Sequence, residues 1–131
     1  VVAEAEYTAA IRATPRGHPE LHTLYSNRSA ARLPRDAEAA LADARRCTAL
    51  KPDWPKGFFR EGRSLRQLDR LREASRAFRT GKALDPSNKD WDKEVAEAEQ
   101  LRSAQYPSIA RQVLFAFLPE LLSAWIRGGD P

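Results

Sequence analysis

Lys56 and Arg60 stand four residues apart in the stretch Lys-Pro-Asp-Trp-Pro-Lys-Gly-Phe-Phe-Arg-Glu-Gly, residues 51–62. The two prolines mark this as the start of a helix. Cations in a first turn face the positive end of the helix dipole, a cost of a few tenths to about 1 kcal/mol each. Like charges four apart add roughly 0.2–0.5 kcal/mol. A chain that accepts both penalties has a use for two positive charges on one helix face. The chemistry they offer is anion capture, the ammonium as a point charge and the guanidinium as a fork matched to a carboxylate. Their negative partner is expected outside this chain.

Other chemistry-bearing residues are weaker candidates. His18 and His22 have the i,i+4 spacing of a metal pair, but Pro19 lies between them in what reads as an inter-helix loop. No cysteine or carboxylate cluster completes a site. Cys47 falls at a small-residue packing position and reads as structural. Phosphate loops, nucleophile elbows and dinucleotide fingerprints are missing from the sequence. The expectation is a protein that is not an enzyme and carries no cofactor and no metal.

The 131 residues suffice for one domain with a modest core. A hydrophobic content of 42% and a charged content of 31% describe an ordered, soluble chain. The net charge of +4 is unevenly placed: residues 54–84 hold nine Lys/Arg against three Asp/Glu, and residues 87–131 hold five against seven. A basic middle facing an acidic partner follows. Nucleic acid is not the expected partner, because Arg70, Arg72, Arg76 and Arg79 fall mainly on an outer helix without base-stacking aromatics. One cysteine fits a reducing compartment, and residues 1–7 lack the regions of a secretory signal, so a cytoplasmic location is expected. With no methionine in the chain, Val1 is not expected to be a native start, and the chain reads as a piece of something longer.

The elements that must position Lys56 and Arg60 are helices. Ala, Leu, Arg and Glu dominate, and Pro15, Pro34, Pro52, Pro55, Pro86 and Pro107 cut the chain into helix-sized blocks. Helices are predicted at about 1–14, 20–33, 36–50, 54–68, 70–84, 88–105 and 108–127. Asp36, Asp53, Asp69 and Ser87 or Asn88 are their expected N-caps. Pro52 and Pro86 lie 34 residues apart, each closing a block that ends Ala-Leu-Lys-Pro or Ala-Leu-Asp-Pro. A period of 34 with two helices per unit is the tetratricopeptide signature. Phe58, Gly62, Leu65, Ala74, Phe78 and Gly81 supply its large and small positions in one block, Tyr25, Ser29, Ala40, Ala44 and Cys47 in the block before. The expected fold is all-α: a half repeat at 1–15, repeats at about 20–52 and 53–86, and a capping helix at 87–106, together one domain at 1–106. Helix pairs stack because each buries only part of its apolar stripe, and stacking leaves a groove lined by the first helix of every pair.

Leu-Tyr-Ser-Asn-Arg-Ser-Ala-Ala at 24–31 and the stretch at 50–62 resemble the tetratricopeptide domains of chaperone-organising co-chaperones. The resemblance implies a right-handed superhelical stack that binds the acidic C-terminal peptides of heat-shock chaperones, ending Glu-Glu-Val-Asp, through a carboxylate clamp. That clamp uses Lys and Asn, then Asn, then Lys and Arg on the first helices of three repeats. Asn27 matches its central Asn, and Lys56 and Arg60 match its last Lys and Arg. The helix for the first Lys and Asn would lie before Val1. Arg63 and Arg66 are expected to extend the positive wall, and Phe59 to supply an apolar contact.

Residues 107–131 read as an apolar C-terminal helix. Val113, Phe117, Leu121 and Trp125 form its stripe, widened by Phe115, Leu122 and Ile126. The apolar run contains Pro119 and Glu120 and is shorter than the ~20 residues of a membrane span. A helix this apolar needs a partner surface, and self-association as a homodimer is the expectation. A structural scaffold acting through this helix is the alternative function to chaperone-tail binding.

Overall fold

Proline and aspartate mark several helix boundaries in the computed structural model, which describes residues 1–105, 116–120, 122–124 and 126. Six helices follow in order: α1 (Val2–Ala13), α2 (Leu21–Arg32), α3 (Ala37–Leu50), α4 (Pro55–Gln67), α5 (Leu71–Leu84) and α6 (Asp90–Gln105). Each lies within about two residues of its expected span, and no strand occurs among the described residues. Residues 116–120, 122–124 and 126 are also helical. Val1–Glu99 form one compact unit and Gln100–Pro131 a second.

Two of the expected caps accept a first-turn amide, Asp36 and Asn88, and two do not, Asp53 and Asp69. Asp36 caps α3, its side chain accepting from the Ala39 amide at 2.9 Å. Asp53 does not cap α4. Pro55 occupies the first turn, where its fixed φ starts the helix without a free N–H, so the boundary falls at Trp54. Asn88 accepts from the Asp90 amide at 3.0 Å, and Ser87 makes no such contact.

Asp69 is not an N-cap either, because it closes the helix before it. Its φ is 57°, the Arg70 amide donates to the Leu65 carbonyl at 2.9 Å, and the Asp69 amide to the Arg66 carbonyl at 3.1 Å. This is the Schellman closure, in which a left-handed residue turns the chain so that orphan carbonyls find donors. Glycine usually fills that place, and aspartate tolerates it better than most residues. Asp69→Val is therefore expected to cost about 1–2 kcal/mol and Asp69→Gly to be neutral or stabilising, a difference thermal melts would read. Equal melting of the two variants would refute the assignment.

Consecutive helices pack as pairs, α2 with α3 and α4 with α5. In addition α1 lies against α2, α3 against α4, and the first helices α2 and α4 touch each other. Leu41, Leu65, Ala74, Ala77, Phe78, Trp91 and Ala98 form the core, with Phe59, Leu68 and Val95 packed against it. Two glycines make this closeness possible. A methyl at Gly62 would overlap the Phe78 ring, and one at Gly81 the Trp91 indole.

Ion pairs tie the helices outside the apolar core. Asp43 on α3 is 3% exposed and accepts both arms of the Arg28 fork at 2.8 and 2.7 Å. Arg32 reaches the same carboxylate at 3.1 Å and also Glu4 on α1 at 2.9 Å. On the far side, α6 is held to α4 by Arg66 with Glu94 and Glu97, both 2.9 Å, and to α5 by Lys82 with Asp92 and Arg79 with Glu99. Trp91 and Ala98 of α6 are buried against the last repeat, which is how a terminal helix covers an open stack.

Candidate functional site

Lys56 is the second residue of α4 and is exposed, with no acidic residue in that first turn. It forms no ion pair among the described residues. Its ammonium lies 5.8 Å from the centre of the Trp54 ring. One turn on, Arg60 is half-buried. Its Nε donates to the Ser26 hydroxyl on α2 at 3.4 Å, and its guanidinium carbon lies 5.9 Å from the centre of the Phe59 ring. Ser26 is fully buried and directly precedes Asn27. Arg60 therefore joins the helix that carries Asn27 at the neighbouring residue. The Asn27 carboxamide is half-buried and makes no hydrogen bond among the described residues.

Arg60 differs from every comparable arginine. Six arginines among the described residues are partly buried: Arg28, Arg32, Arg60, Arg63, Arg66 and Arg70. Five of them contact a carboxylate; Arg60 does not. Burial pushes its pKa down, and the neighbouring charge of Arg63 adds to the effect. By contrast, the hydrogen bond to Asp43 raises that of Arg28. A desolvated cation without a counter-charge is costly unless an anion arrives from outside.

The other expected site residues separate. Arg66 is committed to Glu94 and Glu97, and Arg63 approaches Glu94 at 3.5 Å. The positive wall expected from them is thus largely answered by α6, whose carboxylates come from far along the sequence. Phe59 is half-buried, with ring centres of Phe78 and Trp91 at 6.3 and 6.0 Å. Phe117 is helical and 53% exposed; Val113, Leu121 and Trp125 lie outside the described residues. His22 packs edge-on against Trp54 at 4.7 Å, while His18 accepts from the Glu20 amide at 3.1 Å, so each imidazole is engaged separately. Burial pushes the Cys47 thiol up to about 11, and Gly57 would meet its sulfur at 3.2 Å if it carried a Cβ. Sequence reasoning missed Ser26 and Asp43. Nothing local marks a serine as an arginine's neighbour across two helices, whereas Arg28, Arg32 and Asp43 carried a charge balance that pairing of α2 with α3 could have exposed.

Paired helices at a 34-residue period, closed at Gly62 and Gly81 by aromatic rings and covered by α6, make this a tetratricopeptide repeat domain. The chain is 40% identical over 100 residues to the Protein STIP1 homolog of Dictyostelium discoideum, covering 75% of this chain and 18% of that protein. It is 43% identical over 88 residues to the Hsp70-Hsp90 organizing protein of Triticum aestivum, 66% of this chain and 15% of that one. Tetratricopeptide repeat protein 28 of Homo sapiens is 44% identical over 71 residues, 53% of this chain and 3% of that one. The chain thus spans less than a fifth of the length of these relatives. No protein-family model matches it.

Proposed function

We propose that this domain is a protein-interaction module that captures the C-terminal carboxylates of an acidic chaperone tail, serving as the adaptor part of a cytoplasmic co-chaperone. The observation that carries this reading is Arg60, the partly buried arginine that lacks a carboxylate among the described residues, with Lys56 likewise without an ion pair there one turn away and Asn27 on the adjoining helix. An ammonium, a guanidinium and an amide N–H donor suit the two carboxylates of a terminal aspartate. The similarity to Hsp70-Hsp90 organizing proteins supports a tail of the Glu-Glu-Val-Asp type.

A labelled peptide ending Glu-Glu-Val-Asp is expected to bind, to lose at least about tenfold in affinity when its C-terminus is amidated, and to weaken as salt rises, since exposed charges are screened. Equal binding of the acid and the amide would overturn the clamp.

A second reading concerns the C-terminal segment, where Phe117, Leu122 and Ile126 are helical and 53%, 50% and 71% exposed. Self-association through this face predicts a mass that rises with concentration in sedimentation equilibrium and falls back in Phe117→Asp. A monomer at all concentrations would refute it. No helix among the described residues is long and apolar enough to cross a membrane.

A further inference from the structure

A cavity of about 330 Å3 opens beside Lys56, between the starts of α4 and α6. Trp54, Phe59 and Trp91 line it, together with Lys56 and the carboxylates of Asp85, Asp90 and Glu94. The walls are fixed. Trp91 is 5% exposed, gives its indole N–H to Asp85 at 3.3 Å, and meets Phe59 nearly at right angles.

The lining carboxylates differ in their partners. Glu94 is answered by Arg66 and Arg63. Asp85 and Asp90 form no ion pair among the described residues, so unanswered negative charge shares the lining with three aromatic rings. Aromatic faces attract ammonium and guanidinium groups, and one wall already does so, since the Lys56 ammonium lies over Trp54.

We infer that this cavity is a side-chain subsite for a lysine or arginine of the captured peptide, upstream of its terminal residue; the inference rests on the clamp reading. The aliphatic stem packs on Trp54, Phe59 and Trp91, and the cationic head reaches Asp85 and Asp90. A glutamate in the same place meets two carboxylates with no cationic partner among the described residues and is rejected by like charge. Lys56 couples the two events. When it turns to the peptide's terminal carboxylate, it leaves the Trp54 face to the incoming cation. Capture of the anion and of the cation therefore reinforce each other.

The test is a set of fluorescein-labelled peptides ending in Asp, with each of the five preceding positions set in turn to Lys, Leu or Glu. They are titrated by anisotropy against the protein, Asp90→Lys and Asp90→Asn, with melting curves to confirm that both variants fold. At one position Lys is expected to bind about five- to tenfold tighter than Glu, with Leu between. That preference shrinks in Asp90→Asn and inverts in Asp90→Lys. Glu equal to or better than Lys at all five positions, or a preference unchanged in both variants, overturns the subsite. Amidated forms of the same peptides keep the two readings apart: insensitivity to amidation sinks the clamp, and the Lys-to-Glu ratio judges the subsite.

Discussion

Arg60→Met is expected to weaken tail binding strongly while leaving the free domain as stable as before or more so. The two effects have opposite signs for one reason. Arg60 is desolvated against Phe59 and Ser26 with no carboxylate among the described residues to answer it, so the free protein carries the burden of a partly buried cation without a counter-charge. Methionine keeps most of the apolar contact with Phe59 and removes the charge. In the complex the same guanidinium becomes one half of a charge pair, and truncating such a partner costs about 2–5 kcal/mol, a loss of roughly 30-fold or more in affinity. Lys56→Ala is expected to lose less, because Lys56 is exposed and its contribution is screened by solvent. Anisotropy titrations and thermal melts of the two variants check both halves. A domain clearly destabilised by Arg60→Met would show that the residue serves the fold; undiminished peptide binding would show that it does not serve the site.

Asp43→Ala is expected to be the most damaging single change, at about 3–5 kcal/mol, or a fall in melting temperature on the order of 10–20 °C. Asp43 is nearly inaccessible and takes three N–H groups from two arginines. Its removal leaves Arg28 and Arg32 facing each other at the junction of α1, α2 and α3. Arg28 also donates to Thr8 and Arg32 to Glu4, so the loss extends to the docking of α1. Part of the stability should return in Asp43→Leu combined with Arg28→Met, since an apolar pair of similar volume substitutes well for a buried ion pair. Because α2 carries Asn27 and Ser26, the single variant should also bind the tail less well, and the double variant should recover part of that binding. A melting point within a few degrees of the parent for Asp43→Ala would refute the importance of this network.

How far the chain explains itself differs by element. Helix positions followed from prolines and from the spacing of small and large residues, because both act through local backbone geometry and a 34-residue period. Gly62 was identifiable as a close-crossing position from its offset alone, but its contact is the ring of Phe78, sixteen residues on. N-caps were less accessible. Asp36 matched, whereas Pro55 pre-empted Asp53, and Asp69 was taken into a left-handed closure that its residue type permits but does not announce.

Lys56 and Arg60 stood out in the sequence through an electrostatic misfit, two cations in the wrong turn of a helix, and Asn27 through resemblance. Which arginines were free for a ligand was a different matter. Arg60, Arg63 and Arg66 share one helix and similar sequence surroundings, yet α6 brings Glu94 and Glu97 to the last two and no carboxylate to the first. A residue's type, its helix and its period are written within a few tens of residues. Whether its charge is already answered depends on packing between helices some 30 residues apart, and only the tertiary structure decides that.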